Sequence, residues 1–195
     1  MKTIGITGGV GAGKSEILRY IQSNYNCMII MADNVAHELE SPGHECYDEI
    51  VKLLGSEILD KDGFIQKNIM AGIIFSDDNL KKQVNDIIHP AVKTYIKKRI
   101  ETENLKNKID YLFVEAALLI EEGYEYILDE LWYIRADEDI RRQRLRANRN
   151  YSDEKISAIF AAQLSDDEYS KHSKVIIDNS KSLEDAYIQI DNALM

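Results

Sequence analysis

Short apolar runs alternate with longer amphipathic stretches along this chain. Lys2 to Thr7 is an apolar run that ends at Gly8-Gly9, the pattern of a buried strand. Lys14 to Tyr25 then places Ile17, Leu18 and Ile21 at helical spacing. Cys27-Met28-Ile29-Ile30-Met31 predicts a second strand, and Tyr111-Leu112-Phe113-Val114, within Asp110 to Ala116, a third. Leu131 to Ile134 and Lys174 to Ile177 predict a fourth and a fifth. Residues 34–105 read as mostly helical, punctuated at Pro42-Gly43, Asp62-Gly63 and Pro90. Ser76, followed by Asp77 and Asp78, predicts a helix start. His89-Pro90 predicts a boundary, with Pro90 opening the next helix at its first position. Asp137 to Asn148 predicts a charged helix. Ser152 caps the next one, with Glu154 in its first turn, and Ser182-Leu183-Glu184-Asp185 opens the last in capping-box style. Apolar strands separated by helices predict an α/β fold with a five-stranded parallel sheet covered on both faces. Ligands bind such sheets beyond the carboxyl ends of the strands.

Composition narrows the partners. The 195 residues suit one continuous domain, and no repeat or linker interrupts them. With 24 Lys+Arg against 34 Asp+Glu, the net charge is −10. That balance argues against sequence-independent binding to nucleic acid or to an anionic membrane. Cys27 and Cys46 make no disulfide framework, and no Cys/His spacing suits zinc. No apolar run reaches the roughly 18 residues of a membrane span, and Met1 to Thr7 lacks the pattern of a signal peptide. A cytoplasmic protein, monomeric or weakly oligomeric, is expected. An anionic ligand must then be met by local positive groups, because the overall field repels it.

Gly8-Gly9-Val10-Gly11-Ala12-Gly13-Lys14-Ser15 fits G-x-x-x-x-G-K-[ST], with a strand before it and a helix after. Glycines let successive amide groups turn inward, and the helix N-terminus adds positive partial charge. Lys14 is expected on the β- and γ-phosphates, the Ser15 hydroxyl on Mg²⁺, and Glu16 just behind them in the nucleotide site. The motif specifies a nucleoside triphosphate and leaves the reaction open. A GTP-binding switch needs D-x-x-G and N-K-x-D after strands. Asp60-Lys61-Asp62-Gly63 and Asn107-Lys108-Ile109-Asp110 carry those letters. The second string precedes its strand, on the wrong edge of the sheet, and the first reads as a turn.

A small-molecule kinase needs a phosphate cradle, a group orienting the acceptor, cations on the moving phosphoryl group and a cover against water. Asp33 follows the second strand, where a carboxylate would face the cradle and orient an acceptor hydroxyl; it equally suits a helix N-cap before Asn34-Val35-Ala36. Arg141, Arg142, Arg144, Arg146 and Arg149 put five guanidiniums in nine residues of an acidic chain. On a helix 142, 146 and 149 share one face, and 141 and 144 roughly another. Such a segment can fold over ATP as a lid. Glu115 ends the third strand as a candidate for holding Mg²⁺ through water. Asp178-Asn179-Ser180 follows the fifth strand, where a base-binding loop would sit, with Asn179 as its candidate contact. His37 and His89 read as packing or capping residues.

The ordered set of these segments resembles the dephospho-CoA kinase family. It comprises Ile6 to Ser15, Ala32-Asp33-Asn34-Val35-Ala36-His37-Glu38-Leu39, His89-Pro90, Leu118-Leu119-Ile120-Glu121, Ala161-Ala162-Gln163 and Val175 to Ser180. The resemblance implies a P-loop kinase-like three-layer sandwich with a helical substrate-binding insertion and a helical lid. It implies ATP- and Mg²⁺-dependent phosphorylation of the ribose 3′-hydroxyl of dephospho-CoA, giving coenzyme A and ADP at the last step of coenzyme A biosynthesis. It makes Asp33 the acceptor-activating carboxylate, residues 40–105 the acceptor-binding region, and residues 137–165 the lid, with Arg144 and Arg149 as its arginines. The chain departs from the family pattern at Met31, where the first Asp of D-A-D is usual. It departs again at Ala117, in place of Pro, and at Glu115, in place of Asp.

Overall fold

The computed structural model describes residues 1–195. In chain order the elements are β1 (Lys2–Thr7), α1 (Lys14–Asn24), β2 (Cys27–Met31), α2 (Ala32–Leu39), α3 (Tyr47–Leu54), α4 (Lys67–Phe75) and α5 (Asp78–Lys106). Then follow β3 (Tyr111–Glu115), β4 (Glu130–Arg135), α6 (Glu138–Arg149), α7 (Asp153–Ala161), α8 (Asp166–His172), β5 (Val175–Asp178) and α9 (Leu183–Leu194). Short 3₁₀ turns stand at Ser56–Ile58 and Tyr124–Tyr126. Contacts group the chain into two compact units, Met1–Ile29 with Glu103–Met195, and Ile30–Thr102.

The sheet has strand order β2-β3-β1-β4-β5, and β1, β3, β4 and β5 lie wholly in the first unit. β1 pairs in parallel with β3, from Lys2 opposite Tyr111 to Ile6 opposite Glu115, and with β4, from Ile4 opposite Glu130 to Thr7 opposite Tyr133. β4 pairs in parallel with β5, from Trp132 opposite Val175 to Arg135 opposite Asp178. These strands are continuous apolar runs because both faces are covered: Ile4, Ile6, Leu112, Phe113, Val114, Trp132, Tyr133 and Ile134 are all essentially inaccessible. Phe113 and Trp132 meet edge to face, with ring centroids 6.0 Å apart. The five-stranded parallel sheet and three-layer α/β arrangement expected from the sequence are what the chain forms. Register is pinned at the amino edge by Glu130. Burial pulls its carboxyl upward, but Lys2 at 2.7 Å, the Trp132 indole at 2.8 Å and Lys174 at 2.9 Å outweigh it and hold it below the ordinary carboxylate range. The opposite edge, where β1, β3, β4 and β5 end, is left to polar residues.

The second unit is helical and buries Val35, Leu39, Ile50, Leu54, Ile58, Val84, Ile88, Val92 and Ile96. Three expectations are corrected here. α5 runs unbroken through Pro90 for 29 residues, so His89-Pro90 does not separate two helices. Ser76 closes α4, its hydroxyl donating to the Ile73 carbonyl, and it is Asp77 whose Oδ1 accepts from the Asn79 and Leu80 amides to start α5. Asp33 is not a cap either: Met31 stands at the N-cap of α2, no side chain caps that end, and Asp33 lies exposed in the first turn. The two GTPase-like strings resolve as punctuation. Asp60 Oδ1 accepts from the Asp62 and Phe64 amides in a turn closed by the Leu59–Ile65 bridge. Asn107, at φ 46°, ends α5.

Candidate active site

The phosphate loop is shaped by what its glycines touch. Gly8, Gly11 and Gly13 have φ of 142°, 87° and 94°. A Cβ on Gly8 would lie 2.4 Å from the Ile134 carbonyl oxygen, and one on Gly13 2.3 Å from Asn179 Nδ2. The Gly13 carbonyl accepts from the Glu16 and Ile17 amides, so α1 begins there. Lys14 and Ser15, the loop's last two residues, stand at the positive end of α1, where the helix dipole favours an anion. Lys14 Nζ donates to the Gly8 carbonyl at 2.8 Å and stands 3.6 Å from Glu115 Oε1. The lysine and the end of β3 are thus brought together. Glu16 is engaged in a salt bridge with Arg19 on the exposed side of α1.

The arginine helix divides into two faces. Arg142 pairs with Glu138 at 2.8 Å and Arg146 with Asp153 at 2.6 Å, while Arg149 acts electrostatically on Tyr151. Arg144 turns to the loop: Nη1 reaches the Gly11 and Ala12 carbonyls at 3.5 and 3.4 Å, and Nη2 donates to the Asn179 carbonyl at 2.9 Å. Of the two arginines expected at the nucleotide, the structure therefore brings Arg144 to the loop, while Arg149 is exposed beside Tyr151. Arg141 lies on the loop side as well, an assignment that counting the cluster does not single out. Its Nε donates to the Val10 carbonyl at 3.0 Å and its Nη2 to Gln163 Oε1. Gln163 belongs to the Ala-Ala-Gln segment already noted in the sequence, whose partner only the fold reveals.

Asn179 is buried. Its Nδ2 donates to the Ala12 carbonyl at 2.7 Å and its backbone amide to the Arg135 carbonyl at 2.8 Å. The side chain therefore fastens the phosphate loop to the end of β5, and its Oδ1 is buried without a partner. Beside it Arg135 gathers Asp137 at 2.7 Å, Asp178 at 2.9 Å and Asp166 at 3.5 Å. Burial pulls the Asp178 carboxyl upward, but bonds from Ser180 and the Arg135 charge hold it below the ordinary range.

In the second unit Asp33 acts electrostatically on Lys67. Burial lowers the Lys67 pKa, and the Asp33 carboxylate opposes that shift. Lys67 Nζ contacts His37 Nδ1, and a cavity of about 170 Å³ is lined by His37, Glu40, Ser41, Phe64, Ile65 and Lys67. The spacing of Asp33 and His37 on α2 was visible in the sequence; Lys67 was not, because it arrives from another helix.

The residues present suit Mg²⁺ in the company of a nucleotide. The Ser15 hydroxyl is exposed at the start of α1, and the Glu115 carboxylate lies at the end of β3, held by Lys14. One hydroxyl and one carboxylate are too few for a dedicated protein cage. They fit an ion that keeps its waters and takes phosphate oxygens.

Comparison with known proteins places the chain. The dephospho-CoA kinase family profile matches residues 2–185. A dephospho-CoA kinase of Oceanobacillus iheyensis is 33% identical over 191 residues, covering 98% of this chain and 95% of the relative. One of Carboxydothermus hydrogenoformans is 34% identical over 187 residues, covering 96% and 90%. The crystal structure of TT1252 from Thermus thermophilus superposes with a TM-score of 0.79 at 27% identity, covering 99% of this chain and 96% of that one. The chain belongs to the dephospho-CoA kinase family.

Proposed function

We propose that this protein transfers the γ-phosphoryl group of ATP to the 3′-hydroxyl of the ribose of dephospho-CoA, giving coenzyme A and ADP. Membership of the family supports the reaction and its two substrates. The single observation that carries the chemistry is the phosphate loop with Lys14 fixed between the Gly8 carbonyl and Glu115 at the head of α1.

Phosphoryl transfer asks a protein mainly for positioning and for charge on the moving group. Lys14 and the first amides of α1 supply charge to the β- and γ-phosphates. Arg144, anchored on the loop carbonyls, supplies a further cation from α6. Ser15 and Glu115 would hold Mg²⁺, which when bound neutralises phosphate charge. Asp33 orients the acceptor hydroxyl and accepts its proton; its exposure and its freedom from any capping duty support that role. Residues 40–105 form the acceptor side of this reading, and residues 137–165, spanning α6 and α7, its cover.

The test is an acceptor screen with labelled ATP. Dephospho-CoA is expected to yield coenzyme A and ADP. Turnover confined to a nucleoside monophosphate or a sugar would replace the acceptor and keep the class. Asp33→Asn is expected to lower kcat by about 100-fold or more, with the Kd for ATP within twofold of the parent. A fully active variant removes Asp33 from the chemistry.

A further inference from the structure

Arg141 is the least expected charge in the molecule. It lies on the inner face of α6 with only 8% of its surface exposed. Its acceptors are two neutral oxygens, the Val10 carbonyl and the Gln163 amide, and no carboxylate lies within 4.0 Å. The acids that act on it from farther off are committed elsewhere: Asp166 to Tyr133 and Arg135, and Glu138 to Arg142. The guanidinium is stacked on the Phe160 ring, 4.1 Å from its centroid. It also packs directly under the loop: a Cβ on Gly9 would fall 2.2 Å from Nη2, and one on Gly11 3.0 Å from the Arg141 carbonyl oxygen.

Burying a cation without a counter-ion is strongly unfavourable. The ring contact and two bonds to neutral acceptors offset part of that cost. An arginine stays charged in such a place, so the remainder stands in the protein as stored positive potential. What lies across the loop from it, on the reading above, is a polyphosphate. We infer that Arg141 is a positioning residue for the nucleotide: it fixes the Val10–Gly11 turn of the phosphate loop, ties that turn to Gln163 beyond α7, and adds its uncompensated charge to the loop's hold on polyphosphate. The inference rests on the loop's holding a triphosphate and is independent of which acceptor is phosphorylated.

Arg141→Met keeps the bulk and removes the charge and both hydrogen bonds, whereas Arg141→Lys keeps the charge. Each is to be titrated calorimetrically with inorganic tripolyphosphate, and KM is to be measured for ATP and for dephospho-CoA. In the Met variant, the tripolyphosphate Kd and the KM for ATP are expected to rise together by about tenfold or more. The KM for dephospho-CoA is expected to stay within twofold. The Lys variant is expected to recover most of the tripolyphosphate affinity, which a purely packing role would not produce. A folded Met variant that binds tripolyphosphate as tightly as the parent overturns the proposal, as does a Lys variant no better than Met. Should the Met variant not fold, Gln163→Leu decides. Loss of its tether is expected to weaken tripolyphosphate binding about threefold or more, and unchanged affinity overturns the proposal. Absence of coenzyme A formation by the parent would instead bear on the acceptor, which the tripolyphosphate arm does not involve.

Discussion

At Glu40 burial works directly against charge. The residue is 9% exposed, its Oε2 is 3.6 Å from His37 Nδ1, and burial pushes its carboxyl up to about 7. An unfolded Glu titrates near 4.3. Between those values the folded chain holds the proton more firmly than the unfolded one. Stability from this group is therefore complete below the unfolded value and is lost as pH rises through about 7. Glu40→Gln should abolish that slope and raise stability at pH 8 by on the order of 2 kcal/mol, or roughly 4–8 °C. Thermal melts of parent and variant at pH 5, 6, 7 and 8 check it, and parallel profiles would contradict it. The sequence could not have flagged Glu40, since a Glu two residues before a helix-breaking Pro42-Gly43 pair reads as surface. Gly8 to Ser15 was legible because its requirements are local: positive φ, close backbone approach and a helix start all lie within eight residues. Arg141 and Arg144 were legible only as members of a face. Helical spacing separates them from Arg142, Arg146 and Arg149, but which face meets the loop is decided by how α6 docks, and that information is not in α6.

The same divide between local and distant causes runs through the elements. β1, β3 and β4 are recognisable because a strand covered on both faces must be apolar throughout. α7 and α9 announce themselves through Ser152 and Ser182, whose hydroxyls accept from the Lys155 and Asp185 amides as their spacing requires. α5 does not, because packing overrides the local signal. Pro90 lacks an amide, so the Asp86 carbonyl loses its helical partner, yet Val84, Ile88, Val92 and Ile96 are buried along one continuous side. Cys46 Sγ contacts the next carbonyl, that of Ile87, at 3.8 Å. Burial of that apolar face is worth more than the bond Pro90 forfeits. Since Pro90 is exposed, Pro90→Ala should restore the missing bond without disturbing the core. The gain is offset in part by the greater freedom of the unfolded chain, leaving a net stabilisation of about 1–2 kcal/mol. Chemical denaturation gives the answer directly: the midpoint should rise with an unchanged denaturant dependence. A lower midpoint would show that the helix needs its proline.

For the molecule as a whole, the problem is to bind a highly charged anion with a chain of net charge −10. The structure answers it by concentration rather than by total charge. Lys14, Arg144 and Arg141 all meet the loop carbonyls, at Gly8, at Gly11 and Ala12, and at Val10. Outside that place, most of the remaining lysines and arginines with resolved partners are neutralised by neighbouring acids, as at Arg142 and Arg146. Nucleotide binding should therefore be felt as stability. ATP that binds only the folded chain contributes about 2.7 kcal/mol at a hundredfold excess over its Kd. For a chain of this size that is a rise in melting temperature of roughly 5–11 °C. Lys14→Ala removes a charged donor at the centre of the cluster and leaves Glu115 facing the phosphates. At the same ATP concentration the rise should shrink to about 2 °C or less, because loss of one charge-assisted contact and gain of one repulsion together weaken binding by about 100-fold. Differential scanning with and without ATP measures both. A Lys14→Ala variant that keeps the full ATP-dependent rise would mean that the anion is held somewhere other than the glycine loop, and the assignment of Ser15, Arg144 and Asn179 to its surroundings would fall with it.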